Sequence, residues 1–320
     1  MADRLRTHTW LFAACLALAL LIANVAAEPT FGEPGNWPAL LAALAPFAIV
    51  AMASTPAILS GGGGLDISIG PIAVLANVVL IEWLLGHDGV GSAWLAIPIV
   101  VLLGAAIGAL NGVLVAVFRY QSVIATLCTF FVLAGVIAKI APAPKTAPAG
   151  TWLTGLGDMV GPVPGGLLLV AGPLVVWWLL SRTAFHRNLY AVGGNDATAF
   201  SAGIDVAAVR VLAYSLGGAF AAVGGVALTA LVSSTQASGF AQYTLIALAA
   251  VALGGTQLGG GRGGLVASLL GACCIYLMQT LLGALEVSSA WLNFVYGCLL
   301  VAGVVVGAKL LTLRPRGATA

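Results

Sequence analysis

Asp66 is the residue best placed to do chemistry. It stands in Gly61-Gly62-Gly63-Gly64-Leu65-Asp66-Ile67-Ser68-Ile69-Gly70, between two long apolar stretches. A carboxylate there is costly unless it is paired, capping or hydrated. Two chemistries fit. It can be a helix N-terminal charge, stabilised by the helix dipole and by backbone N–H donors. It can equally be a polar group lining a translocation path, and the two roles are compatible because half-helix ends line many transport sites. In an ion-gradient-driven secondary transporter the same carboxylate would be the proton or sodium site. The four glycines before it allow turns and close helix approach that side chains would block.

Other reactive types form no constellation. His8, His87 and His186 lie at the edges of apolar runs or between them, without a nucleophile or metal ligands nearby in sequence. The five cysteines, Cys15, Cys128, Cys273, Cys274 and Cys298, all fall inside apolar runs. They read as small buried hydrophobes, with no zinc-type spacing and no disulfide framework. Leu59-Ser60-Gly61-Gly62-Gly63 imitates an ATPase signature but lies between apolar runs. Gly259-x-Gly261-x-x-Gly264 imitates a dinucleotide loop, yet no strand precedes it. No Gly-x-x-x-x-Gly-Lys-Ser/Thr string occurs, so no loop cradles phosphates with a lysine. No catalytic residue, metal site or bound cofactor is expected.

Neutral polar groups inside the runs include Ser68, Asn77, Asn111, Thr126, Gln279 and Asn293. Most should bond helix to helix, at about 0.6 kcal/mol each. Asn77, Asn111 and Thr126 are candidates for lining a path for an uncharged polar substrate. Glu82 lies about 24 Å along a helix from Asp66, so the two should not pair within it, and Glu82 should face the external interface.

The elements holding these groups must sit in lipid. Of 320 residues only 7% are charged and 61% are hydrophobic, and the mean hydropathy is +1.10. A soluble domain carries about a quarter charged residues. The net charge of +2, scattered through loops, gives no reason to expect nucleic acid. Apolar runs separated by turn signals predict about ten spans, at 10–27, 38–59, 65–85, 93–118, 120–141, 165–181, 211–232, 243–258, 264–285 and 290–310. The first could pass for a signal peptide, but its length suits a retained span. Short runs such as 243–258 allow broken or re-entrant helices.

Basic residues set the orientation. Arg4 and Arg6, Arg119, Arg182 with Arg187 and Arg210, Arg262, and Lys309 with Arg314 and Arg316 occupy every second gap. The intervening gaps hold only Lys139 and Lys145. The positive-inside bias therefore places both termini in the cytoplasm. Gly86–Ser92, Ser233–Ala241 and the Pro- and Gly-rich Ala141–Pro164 then face outward.

The largest cytoplasmic segment is Ser181–Arg210. Gly193-Gly194-Asn195 reads as a turn, and Asn195 or Asp196 can cap a short helix running to about Gly203. A mere connector need not be so long, so the segment reads as a docking element for a cytoplasmic partner.

Four strings carry a resemblance. Gly63-Gly64-Leu65-Asp66-Ile67-Ser68-Ile69-Gly70 resembles the Gly-Gly-Ile-Asp-Leu-Ser-Val-Gly motif of membrane permeases from bacterial ABC importers for monosaccharides, of which the ribose permease is the best-known type. Asn111-Gly112 with Ile124-Ala125-Thr126-Leu127 resembles that family's Asn-Gly…Ile-Ala-Thr-Leu. Tyr190-Ala191-Val192-Gly193-Gly194-Asn195 with Gly203-Ile204 resembles its cytoplasmic loop. Gly254-Gly255-Thr256 with Gly260-Gly261-Arg262-Gly263 resembles its late Gly-rich turn. The strings keep the family's order along almost the whole chain. Cys128, Gln121-Ser122, Ala202, Thr244 and Ile246 depart from its usual residues.

The resemblance implies one all-α transmembrane permease domain over 1–320, with 181–210 as the coupling loop. It implies a multi-pass protein of the bacterial inner membrane working as a pair of permease chains, identical or mixed. It further implies a cytoplasmic ABC ATPase subunit that holds ATP and magnesium, and a periplasmic sugar-binding protein. Gly193, Gly194, Asn195, Asp196 and Gly203 would shape the coupling element. Gly63, Gly64, Asp66, Ser68 and Gly70 would shape a helix junction by the path. Gly260, Gly261, Arg262 and Gly263 would form the Gly-rich turn.

Overall fold

The computed structural model describes residues 10–85, 91–148 and 150–287, with Trp291, Phe294, Gly297, Cys298 and Val301 beyond them. Most of the run expected at 290–310, both termini, His8, His87 and Asn293 lie outside the described residues.

The molecule is all-α, as its composition requires. Among the described residues, six helices are long and apolar enough to cross a membrane. They are α1 (Trp10–Ala27), α2 (Trp37–Leu59), α4 (Ala93–Ala116), α5 (Ser122–Ile140), α10 (Val206–Val232) and α12 (Leu265–Ala284). α7 (Gly165–Leu180) is bent by 88° against α8 (Ala184–Gly194), and the two can count as a seventh span. Two apolar helices are shorter: α3 (Ile69–Val79), continued by a π turn over Leu80–Leu84, and α11 (Phe240–Leu253). α6 (Leu153–Gly157) and a two-residue hairpin, β1 (Met159–Val160) with β2 (Val163–Pro164), fill the segment expected to be external.

The core is built on α2, α3 and α10. In its spanning stretch, 78% of α2 is buried, against 17% of α1. Every residue of α3 is buried, so protein rather than lipid surrounds this short helix. Pro46 and Pro56 lie inside α2, which neighbouring helices make tolerable.

Small residues set the closest helix pair. Gly104, Gly108 and Gly112 recur every four residues along one face of α4, and that face meets α10. A methyl group on Gly112 would stand 2.7 Å from the Cα of Val211, and those on Gly104 and Gly108 would strike carbonyls of Gly218 and Tyr214. The two backbones therefore pack directly, as small-residue ladders permit in lipid.

The segments placed on the outer side meet one another. Thr146 pairs with Ser234 in an isolated antiparallel bridge, and Lys145 exchanges bonds with Thr235. The Lys145 ammonium bonds Glu82 at 3.1 Å. Asn77 ties this end down from α3. Its Nδ2 donates to Thr229 Oγ1 and the Ser234 carbonyl, and its Oδ1 accepts from Gln236 N.

Several boundaries differ from expectation: α3 begins at Ile69 where 65 was expected, and α11 covers Phe240–Leu253 where 243–258 was expected. α10 begins at Val206, five residues before the predicted 211, because Asp205 Oδ1 accepts from Ala208 N and caps it. Arg210 therefore lies on the first turns of a long helix. Gly193 and Gly194 end α8 instead of forming a free turn.

Candidate functional site

The four motif strings are one place in the folded chain. At its centre lies the turn joining α2 to α3. Gly61, Gly62 and Gly63 have φ of 72°, 65° and 72°, a run of left-handed conformations natural only to glycine. Beyond the turn, Leu65 to Ser68 runs against the start of α5. Ser122 Oγ donates to Gly63 O and accepts from Leu65 N. Thr126 Oγ1 accepts from Ile67 N at 3.1 Å. Thr244 Oγ1 on α11 accepts from Gly70 N at 3.2 Å and donates to Ile67 O at 3.0 Å.

Inside the turn, Asp66 is fully buried. Its Oδ1 accepts from Ser68 N at 2.9 Å and from Ser68 Oγ at 2.6 Å. Ser68 Oγ accepts in turn from Asn111 Nδ2 at 2.8 Å, and Asn111 Oδ1 accepts from Thr129 Oγ1 at 2.5 Å. The chain Asp66–Ser68–Asn111–Thr129 thus stitches α3, α4 and α5 together without a cation. Asp66 Oδ2 has no hydrogen-bond partner, and neither has the buried Tyr214 hydroxyl.

The segment from α8 to α9 (Asp196–Ser201) docks on this turn backbone to backbone. A methyl group on Gly61 would stand 2.8 Å from Gly193 Cα. One on Gly193 would strike Leu59 O and stand 2.6 Å from Gly261 N. One on Gly261 would meet Gly194 N at 2.6 Å. Gly261 N also donates to Leu59 O at 3.1 Å. Three glycine strings far apart in sequence, around 61, 193 and 261, therefore pack as bare backbone. Tyr190 OH adds a bond of 2.8 Å to Gly263 O, and burial raises its pKa above the usual phenol range.

α8 and α9 project from this junction. Asn195 Oδ1 accepts from Thr198 N at 2.9 Å and caps α9, as expected. Gly203 closes it with φ +83°, while Ile204 N bonds back to Ala199 O. Arg210 Nη2 bonds Asp196 Oδ2 at 3.0 Å. Phe200 stays 73% exposed on α9, an aromatic presented by a short polar element. On α8, His186 lies between Trp177 and Tyr190, with ring centroids 5.1 and 4.9 Å away. Burial lowers the His186 pKa. Arg182 stacks 3.8 Å from the Trp178 ring.

The predicted site residues divide into four groups, of which one, Asn195, Asp196 and Gly203, caps, opens and closes α9. The junction brings together Gly63, Gly64, Asp66, Ser68, Gly70, Asn111 and Thr126. Gly193, Gly194, Gly260, Gly261, Arg262 and Gly263 gather against it. Asn77 lies one helix length away at the opposite end. Tyr214 and Thr244 were not singled out as contributors to this junction, though a polar group inside an apolar run is the signal that marks each.

Known proteins match over nearly the whole chain. Residues 39–304 match the family described as branched-chain amino acid transport system / permease component. The ribose import permease of Escherichia coli K12 is 34% identical, covering 95% of this chain and 96% of that protein. The ribose import permease of Bacillus subtilis 168 is 35% identical, covering 92% and 91%. The autoinducer 2 import system permease of Klebsiella pneumoniae is 35% identical over 65% of this chain and 61% of that one. No solved structure matches.

Proposed function

The chain belongs to the branched-chain amino acid transport system / permease component family, and from that premise we propose that it is the membrane-spanning subunit of an ATP-driven importer for a monosaccharide or related polyol. The observation that carries this reading is the convergence of the four motif strings on one junction between the cytoplasmic loop and the buried helix ends. Similarity along its length to ribose import permeases supports a sugar over an amino acid. So does the buried polar set, which is mostly neutral amides and hydroxyls suited to an uncharged polyhydroxy substrate.

The transport is alternating access. ATP and magnesium sit on a separate cytoplasmic ATPase subunit, since this chain carries no phosphate-binding lysine loop. Closure of the ATPase pair moves α8 and α9. Gly193 and Gly194, held against Gly61 and Gly261, pass that movement to the α2–α3 turn and to the turn after α11. Those two turns position the short helices α3 and α11. A second permease chain completes the path, and a periplasmic sugar-binding protein delivers the substrate. No chemistry is done on the sugar.

The test is uptake of labelled sugars into proteoliposomes holding this chain with its ATPase and binding protein. ATP-dependent uptake of a pentose or hexose is expected. Uptake driven by a proton or sodium gradient without ATP would contradict the reading.

A further inference from the structure

Among the described residues, three buried side-chain polar atoms lack hydrogen-bond partners, one just past the α2–α3 turn and two on the first turns of α10. They are Asp66 Oδ2, Arg210 Nε and the Tyr214 hydroxyl. Buried polar groups are almost always hydrogen-bonded, so each exception calls for a cause. Here one acceptor and two donors are left over together. Arg210 and Tyr214 are one turn apart on α10. The Tyr214 hydroxyl lies within electrostatic reach of both Asp66 and Arg210.

The pairing is also uneven. Arg210 holds Asp196, whose side chain is 54% exposed and could be satisfied by water. Asp66 is fully buried and could not. The carboxylate that needs a cation least has the nearby one, and the carboxylate that needs it most has only neutral donors, chiefly Ser68. The Arg210 guanidinium lies against Gly62, where a methyl group would stand 2.5 Å from Nη2.

We infer that Arg210 is an exchanging ion-pair partner. It binds Asp196 in the state seen here and moves to Asp66 when α8 and α9 shift. The inference rests on the importer reading, because the partner ATPase supplies the shift. Asp196 opens α9, so displacing that helix pulls the carboxylate away from Arg210. The guanidinium then turns over Gly62 toward Asp66 Oδ2, and Asp196 passes to water or to the partner. Tyr214, between the two, donates to Asp66 Oδ2 in the exchanged state. The position of a surface helix is thereby written into the charge balance of the buried junction. Arg210 is a positioning residue here and does not touch the sugar.

The experiment uses the complex of this chain with its ATPase in lipid, without nucleotide and with ATP trapped by a hydrolysis-deficient ATPase. Structures of both states read the partner of Arg210, and uptake is measured for R210Q, D66N, D196N and R210Q/D66N with active ATPase. With ATP trapped, Arg210 is expected on Asp66. R210Q and D66N are each expected to lower uptake by about tenfold, a usual size for coupling between sites, and the double variant no further. Arg210 remaining on Asp196 in both states, or losses that multiply in the double variant, would overturn the exchange. Should D66N fail to insert, D196N decides. It is expected to place Arg210 on Asp66 without nucleotide, and an Arg210 that stays away from Asp66 overturns the proposal. A wild-type chain that binds no ATPase defeats the importer reading and the exchange together. A working importer with Arg210 fixed on Asp196 defeats the exchange alone.

Discussion

Gly61 and Gly193 meet backbone to backbone, with room for no side chain between them: a methyl group on Gly61 would stand 2.8 Å from Gly193 Cα. Gly61 follows the end of α2, and Gly193 lies in the last turn of α8. Alanine at position 193 should therefore force the two apart, since it would strike Leu59 O. Overpacking of this kind costs about 1–3 kcal/mol. Gly194 has open space around it, so G194A is the matched control. Thermal unfolding in detergent should show G193A several degrees below wild type and G194A close to it, with uptake following the same order. Equal behaviour of the two would contradict the contact.

Gly203 acts through its backbone. Its φ is +83° and no atom crowds its Cα, so any cost of substitution is conformational and not steric. A β-branched residue there should cost about 1–3 kcal/mol and misplace α9. G203V should hydrolyse ATP without matching uptake, while G203N, able to take left-handed φ, should retain coupling. The number of sugars imported per ATP hydrolysed is the readout.

Thr244 holds the start of α3 to α11 with a single hydroxyl serving Gly70 N and Ile67 O. T244V keeps the shape and removes both bonds. Leaving such buried groups unpaired costs about 1–3 kcal/mol, so the melting temperature should fall, and T244S should recover most of the loss.

Lys145 and Glu82 pair at one end of the molecule, and the glycine junction lies at the other. The pair is partly exposed, at 50% and 17%, and is worth no more than about 1 kcal/mol. K145Q should therefore insert and transport normally. In a background lacking the five native cysteines, K145C should react with an impermeant thiol reagent on intact spheroplasts. R262C should react only after lysis.

Much of this was legible in the sequence. Apolar runs bounded by turn residues mark the helices well, from Trp10–Ala27 to Leu265–Ala284, because lipid demands long uncharged stretches. The Gly61–Gly70 string marked its own turn, and Asn195 its own cap. Two local features were misread for physical reasons. Arg210 looked like loop because a charge ends an apolar run, yet α10 starts four residues before it, capped by Asp205. α8 was hidden by Gly193-Gly194, although Phe185, Leu189 and Val192 recur at helical spacing. The meeting of the strings around 61, 193 and 261 is a tertiary fact. Spacing along one chain does not show which glycines will touch, and only the packed helices bring them together. The unpaired atoms of Asp66, Arg210 and Tyr214 are visible for the same reason only in the fold.

The central claim is that this chain works with a separate ATPase, and the mass of the intact complex tests it most directly. The complex should be released gently from its native membrane through a tag on this chain and weighed whole. The account predicts two permease chains with two ATPase subunits, and the mass also distinguishes a pair of identical chains from a mixed pair. A chain reproducibly free of any ATPase, yet able to take up substrate in proteoliposomes under an ion gradient alone, would contradict it.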